Sequence, residues 1–280
     1  MIKRLISILI LLGLVPQCPA QYGAAVPLGT NWYAIDHGQL MASYDPPAYC
    51  YRAANATIAN GALNLTTTVH SSTCNGVSTS YDSAIVYAKN YSFTFGTVEA
   101  YLSSGPVNGT YPAFWMLGNA CHTPDWVSFW TYCPTWMTPD YVEIDFPEDF
   151  LYNTGTQWSI NSNVTSLFAY NYTPVNPGGW HDVKMVWNST SITWYDNGAQ
   201  ITQTTNLTQI PQTAMFPIFD VAMQTSSERG GPITDSNFPI TMKVAWIKIT
   251  PLTGPAFYEN FAAETSGTTM TGLTKGSVIQ

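Results

Sequence analysis

The sequence predicts an all-β protein built as an antiparallel β-sandwich, and three observations predict it. Short runs in which apolar and polar residues alternate recur along the chain, the pattern of strands with one buried face. Turn-forming residues separate those runs at short intervals, among them 20 Gly and 19 Pro. Amphipathic helical spacing is almost absent. With 280 residues, 45% of them apolar, the chain can bury a substantial core, and all-β sandwiches reach this size as one domain.

At the N-terminus Lys3 and Arg4 precede the apolar run Leu5 to Val15, and Pro16-Gln17-Cys18-Pro19-Ala20 follows. This is the layout of a secretory signal peptide, so residues 1–20 are expected to be removed and the protein to be secreted, extracellular or periplasmic. The run of about eleven residues is well short of the ~20 that a membrane helix needs, and no membrane association is expected after cleavage. Cys50, Cys74, Cys121 and Cys133 remain, an even number in an exported chain, which predicts two disulfides. Of the three pairings, Cys50 with Cys74 and Cys121 with Cys133 is favoured because each closes a local loop. Neither pair has the close-spaced partners of a zinc site. Nine Lys plus Arg against 17 Asp plus Glu, a net charge of -8, argues against a nucleic-acid surface and disfavours sulfated or uronic polymers. A neutral partner and a monomeric chain are expected.

Residues 21–47 are rich in Gly, Pro and Tyr and predict an irregular segment with one edge strand. Thr57-Ile58 and Ala62 to Thr66 flank Asn60-Gly61, a strong hairpin signal. From Ser92 to Leu102, Phe93, Phe95, Glu99 and Tyr101 alternate with Val98, Ala100 and Leu102; the second set is the core face. Ala113 to Leu117 is a buried strand whose Trp115, by residue type alone, is a core residue. Residues 119–140 form a long loop with Trp126, Trp130 and Trp136, expected either to shape a binding groove or to fold on its own aromatics.

The loop ends at Tyr141-Val142-Glu143-Ile144-Asp145-Phe146-Pro147-Glu148-Asp149-Phe150, around which the rest is organised. Strand side chains alternate, so Glu143 and Asp145 share a face, while Glu148, five positions after Glu143, points to the other. One extra residue between Asp145 and Glu148, a β-bulge, returns Glu148 to the common face, and Pro147 suits a bulge. Three acids on one wall is an arrangement for acid chemistry on sugars. One carboxylate attacks the anomeric carbon or activates water, and a second, kept protonated, gives its proton to the departing oxygen. The carboxylate between them holds the nucleophile and raises a neighbour's pKa by like-charge repulsion. The plainer alternative is an acidic calcium loop or a solvated face. With 9% of residues charged, clustering acids on an apolar strand is costly without a purpose.

Beyond the acids, Gln157, Ser159 and Asn161 alternate on one face, placed either for sugar hydroxyls or for solvent. Trp180 to Trp187, Ser191 to Tyr195 with a turn at Asp196-Asn197-Gly198, and Gln200 to Thr205 form a meander in which His181 is read as structural. Phe216 to Met223 is a further strand. In Thr241 to Thr250, Met242, Val244 and Trp246 alternate with Ala245, Ile247 and Ile249, so both faces are apolar and a strand covered on each side is expected. The domain is expected to span 21–254, leaving 255–280 as a loosely packed tail. Eight N-x-S/T sequons permit glycosylation without showing it.

Glu143-Ile-Asp145-Phe-Pro-Glu148 resembles the active-site strand of glycoside hydrolase family 16 in its bulge-bearing E-x-D-x-x-E, laminarinase-like form. Phe95-Gly-Thr-Val-Glu99-Ala-Tyr-Leu and Tyr111-Pro-Ala-Phe-Trp115-Met-Leu-Gly resemble two upstream segments of that family. Trp180-His-Asp-Val-Lys-Met-Val-Trp187 and Ser191-Ile-Thr-Trp-Tyr-Asp-Asn-Gly198 resemble two downstream ones. The resemblance implies a bent, concanavalin-like β-jelly roll with a concave substrate cleft. It implies Glu143 as nucleophile, Glu148 as acid/base and Asp145 as helper in a retaining endo-hydrolysis of a β-linked glucan. Substrate-binding roles follow for Trp115, for Glu99 and Tyr101, where the family often has Arg at the latter, and for Asp220, which stands at the family's Asn position. A pair placed like Cys50 and Cys74 occurs in the lichenase branch. No cofactor is required; the resemblance admits a structural calcium on the convex face, whose ligands are unassigned here. A transglycosylase or a non-catalytic glycan-binding protein remains the alternative.

Overall fold

The computed structural model describes residues 24–36, 49–74, 76–106, 109–119, 142–151, 155–162, 179–223, 231–266 and 278–279. The signal segment, the 120–141 part of the aromatic loop with Cys121 and Cys133, and the chain after 266 except 278–279 lie outside them.

The strands, numbered β1 to β18 in chain order, form two sheets. The first, in spatial order, is β1 (Ala24–Leu28), β2 (Trp32–Asp36), β7 (Ile85–Ala88), β15 (Met215–Met223), β9 (Thr110–Gly118), β10 (Val142–Leu151) and β11 (Gly155–Ser162). The second is β14 (Ala199–Thr204), β13 (Ile192–Asp196), β12 (His181–Trp187), β8 (Gly96–Ser103), β16 (Ile240–Pro251), β5 (Ala62–Cys74), β6 (Val77–Ser83) and β3 (Tyr49–Tyr51). β4 (Ala56–Ala59) adds to β5, β17 (Ala256–Asn260) to β16, and β18 (Val278–Ile279) to β17. Pairings are antiparallel except β3 with β6, which is parallel. The one α-helix among the described residues is α1 (Phe261–Ser266). The expected all-β sandwich is the observed fold.

Local chemistry explains the elements. Asn60 and Gly61, at φ 54° and 79°, turn β4 into β5, and Asn197 and Gly198, at 49° and 81°, turn β13 into β14. These are the positive-φ pairs that two-residue hairpins demand. Gly96 opens β8 at φ 148°, where a Cβ would lie 2.5 Å from the Thr250 carbonyl oxygen and 2.6 Å from Pro251 Cα. Only glycine fits that approach, which accounts for the Phe95-Gly96 pair.

The core lies between the sheets. Phe114 of β9 stacks between Phe146 of β10 and Phe219 of β15, at 4.3 Å to each, and faces Val98, Ala100 and Leu102 of β8 within one buried cluster. A second cluster covers part of the other face of the first sheet: Tyr49 and Tyr51 of β3 and Tyr81 of β6 pack with Ile85, Tyr87, Phe216 and Ile218. β15 is therefore buried along its whole length, which is why Met215 to Met223 shows no alternation of polarity. This face, turned away from the core, is the one that carries the acids described below.

Two expectations are corrected. The residues after 254 do not begin a loose tail: β17 pairs with β16, and Phe257 and Phe261 are buried in the main core beside Trp32. β16 is not covered on both sides. A register shift between Val244 and Trp246 inserts Ala245, so Met242 and Val244 before it and Ile247 and Ile249 after it all face the core, and Trp246 turns outward.

Cys50 is bonded to Cys74, tying the three-residue β3 to the end of β5. The bridge spans a sequence separation of 24, for which chain entropy gives about 3.5 kcal/mol. The double variant Cys50→Ala, Cys74→Ala is expected to lose that much unfolding free energy and so to unfold at lower denaturant; an unchanged midpoint contradicts it.

Candidate active site

The acids are set by the register of β10. Against β11, Glu143 pairs with Asn161 and Asp145 with Ser159, and the register then shifts so that Glu148 pairs with Gln157. Three residues of β10 thus answer two of β11, the expected bulge. Against β9 the same shift appears: Glu143 pairs with Leu117, Asp145 with Trp115 and Glu148 with Ala113. Directly opposed residues share a face, so the backbone register sets positions 143, 145 and 148 in successive rows on the outer face of the first sheet, paired with positions 161, 159 and 157 of β11. Ile144 and Phe146 point the other way, fully buried in the core, and they fix the phase of the strand. Glu143 and Asp145 are buried, at 7% and 1% exposure. Retention requires the two carboxyls to lie roughly 5 to 5.5 Å apart, but the Glu148 side chain lies outside those described.

Asp220 of β15 stands opposite Ala113, and Ile218 opposite Trp115, which places Asp220 and Trp115 on the same face as the acids. The Trp115 indole Nε1–H donates to Asp220 Oδ1 at 2.9 Å, and the Tyr51 hydroxyl donates to Oδ2 at 2.7 Å. Burial pushes the Asp220 pKa up from 3.8 to about 7; the two hydrogen bonds oppose that rise and the charge of Glu143 adds to it. The unfolded chain loses this proton near its ordinary pKa while the native chain keeps it to about 7. Asp220 therefore costs stability progressively as pH rises from about 4 to about 7, with no further change above. From the core side, Trp194 of β13 donates its Nε1–H to the Asp145 backbone oxygen at 3.0 Å, pinning β10 where the bulge begins.

The structure brings together Glu143, Asp145, Trp115 and Asp220, with the Glu148 backbone in the row of Ala113 and Asp220. It does not bring Glu99 and Tyr101 there, and that expectation is corrected. β8 belongs to the second sheet; Val98, Ala100 and Leu102 face the core, so Glu99 and Tyr101 look out of the opposite side of the sandwich. Glu99 lies 3.8 Å from the Lys248 ammonium, and Tyr101 stacks on Trp180 and Trp246. His181 on the same sheet contacts Asp196 at 3.0 Å, in keeping with a structural role. Tyr51 and Trp194 were not anticipated. Tyr51 lies 169 positions from Asp220, and the only local hint was its place beside a disulfide cysteine.

Among the described residues no group of three or more His, Cys, Asp or Glu is arranged to hold a metal ion, so no calcium ligands are assigned. Among the same residues no helix is long and apolar enough to cross a membrane.

Solved structures share this fold at low identity. A LamA variant from Z. galactanivorans, in complex with laminaritriose and laminaritetraose, superposes with TM-score 0.65 at 19% identity, covering 82% of this chain and 96% of that one. The laminarinase catalytic domain of Thermotoga maritima gives 0.64 at 18%, covering 83% and 96%. A β-1,3-1,4-glucanase (lichenase) from a mouse hindgut metagenome gives 0.62 at 18%, covering 81% and 96%. No curated protein sequence matches the chain. The sequence profile of Glycosyl hydrolases family 16 matches residues 48–248, from β3 through most of β16, and by that match this chain belongs to the family.

Proposed function

We propose that the protein is a secreted, monomeric, retaining endo-β-glucanase that cleaves β-1,3- or β-1,3-1,4-glucan. The observation that carries the reading is the β10 bulge, which aligns the backbone of Glu143, Asp145 and Glu148 along one face beside Trp115. Glu143 attacks the anomeric carbon to form a glycosyl-enzyme while Glu148 gives its proton to the departing sugar oxygen. Glu148 then takes a proton from the water that releases the product, so the anomeric configuration is kept. Asp145, one row from each, orients Glu143. Trp115 offers an aromatic face to the apolar face of a pyranose ring. No cofactor is needed, because carboxylates supply both the nucleophile and the proton transfers. The net charge of -8 favours a neutral polymer over a sulfated or uronic one.

The test is incubation of the purified protein with a panel of neutral and sulfated polysaccharides, reading reducing ends and product lengths. Short oligosaccharides released from laminarin or mixed-linkage glucan are expected. Chain-length redistribution without new reducing ends identifies transglycosylation instead. Binding without any turnover identifies a glycan-binding protein.

A further inference from the structure

Asp220 is the buried acid that this chemistry leaves without a task. Its carboxyl sits on the central strand of the first sheet, 5% exposed, and its two oxygens are each taken by a different element: Oδ1 by the Trp115 indole of β9, Oδ2 by the Tyr51 phenol of β3. Tyr51 is fully buried and stacks edge-on against Tyr49, whose hydroxyl lies 3.5 Å from its own. Its strand is held by the Cys50–Cys74 bond. Trp115 is half-buried and is the aromatic ring nearest in register to the acids of β10. A ring that stacks on sugar must keep one orientation, and an indole can be fixed by its single donor.

Among the described residues, the ionisable groups facing Asp220 are Tyr51 and, behind it, Tyr49 of β3, and Glu143 of β10. Asp145 stands one row away, and the Glu148 backbone shares the row of Asp220 with Ala113 between them. Ala113 and Trp115 of β9 and Ile85 of β7 carry no charge. Nearly all the charge around Asp220 is therefore negative. A sugar seated on Trp115 removes water from this corner, and a drier corner disfavours the carboxylate.

We propose that Asp220 is a positioning residue of the cleft, which holds the Trp115 ring for sugar stacking through its paired hydrogen bonds to Trp115 and Tyr51, and couples glucan affinity to the uptake of one proton. The coupling to glucan rests on the function proposed above; the clamp and its titration do not. Burial keeps the proton on Asp220 up to about pH 7 in the free protein, and bound sugar raises that limit further. Affinity therefore falls as pH rises above 7, by up to about tenfold per pH unit for a single proton.

The first measurement needs no substrate. The Trp115 indole N–H resonance, identified by its loss in Trp115→Phe, is followed by NMR from pH 5 to 9. In the native chain it is expected to shift with a midpoint near 7, and in Asp220→Asn to stay fixed over that range. A resonance that does not move in the native chain, or moves identically in Asp220→Asn, overturns the clamp. The second measurement is the pH dependence of KM and kcat on the glucan cleaved best. KM is expected to rise severalfold between pH 7 and 8 in the native enzyme and to stay flat in Asp220→Asn. Asp220→Leu, which strands both donors, is expected to raise KM about tenfold at every pH, and Asp220→Asn to recover most of that loss. A pH-independent KM in an active native enzyme overturns the coupling. Inactivity on every glucan overturns the proposed function and, with it, the coupling to sugar, while the NMR result still decides the clamp.

Discussion

Replacing Glu143 by Gln is expected to abolish glucan hydrolysis, lowering kcat by at least about 10³-fold, while KM changes little. The amide matches the carboxylate in size and keeps its place on β10 between the core-facing neighbours Val142 and Ile144, so the sandwich is left intact. What disappears is the nucleophile. A second consequence separates this variant from a merely damaged one. Glu143 helps to hold the proton on Asp220, so removing its charge is expected to lower the Asp220 midpoint below about 7. Activity is read from reducing ends and folding from circular dichroism. Residual hydrolysis within tenfold of native would take the nucleophile's role away from Glu143.

Glu148→Ala is expected to cost about 10³-fold on polysaccharide, within the range a general acid contributes. The loss depends on the leaving group, and that dependence identifies the role. A sugar oxygen departs poorly without a proton, whereas a nitrophenolate needs none. On a nitrophenyl β-oligoglucoside, formation of the glycosyl-enzyme is therefore expected to survive within about tenfold, read as a burst of nitrophenolate followed by slow turnover. Equal losses on both substrates would mean that Glu148 acts some other way.

Much of this site was legible because strand geometry has a fixed period. The spacing of Glu143, Asp145 and Glu148 fails plain alternation by one residue, and the single repair that rescues it, a bulge near Pro147, is the one the register contains. Gln157, Ser159 and Asn161 were readable as a set for the same reason. Asn60-Gly61 and Asn197-Gly198 specify their hairpins through backbone conformations few other residues accept.

Alternation says which residues share a face, however, and not which layer that face belongs to. Glu99 and Tyr101 were grouped correctly and assigned to the wrong side of the sandwich, because the pairing of β8 with β12 and β16 is set by contacts remote in sequence. The bulge at Ala245 was missed because apolar residues on both sides of it left no break in the pattern. Tyr51 and Trp194 escaped notice because their partners are 169 and 49 positions away. Asp220, a lone acid in an apolar strand, was the visible half of the first of these contacts.

The most direct test of the acid wall is the configuration of the first sugar released. Proton NMR of the anomeric signals, recorded within minutes of adding enzyme to laminarin or mixed-linkage glucan, is expected to show the β-anomer first, with the α-anomer growing in only by mutarotation. An initial α-anomer would mean that water attacks the sugar directly, and that Glu143 and Glu148 do not work as a nucleophile and acid on the same strand face.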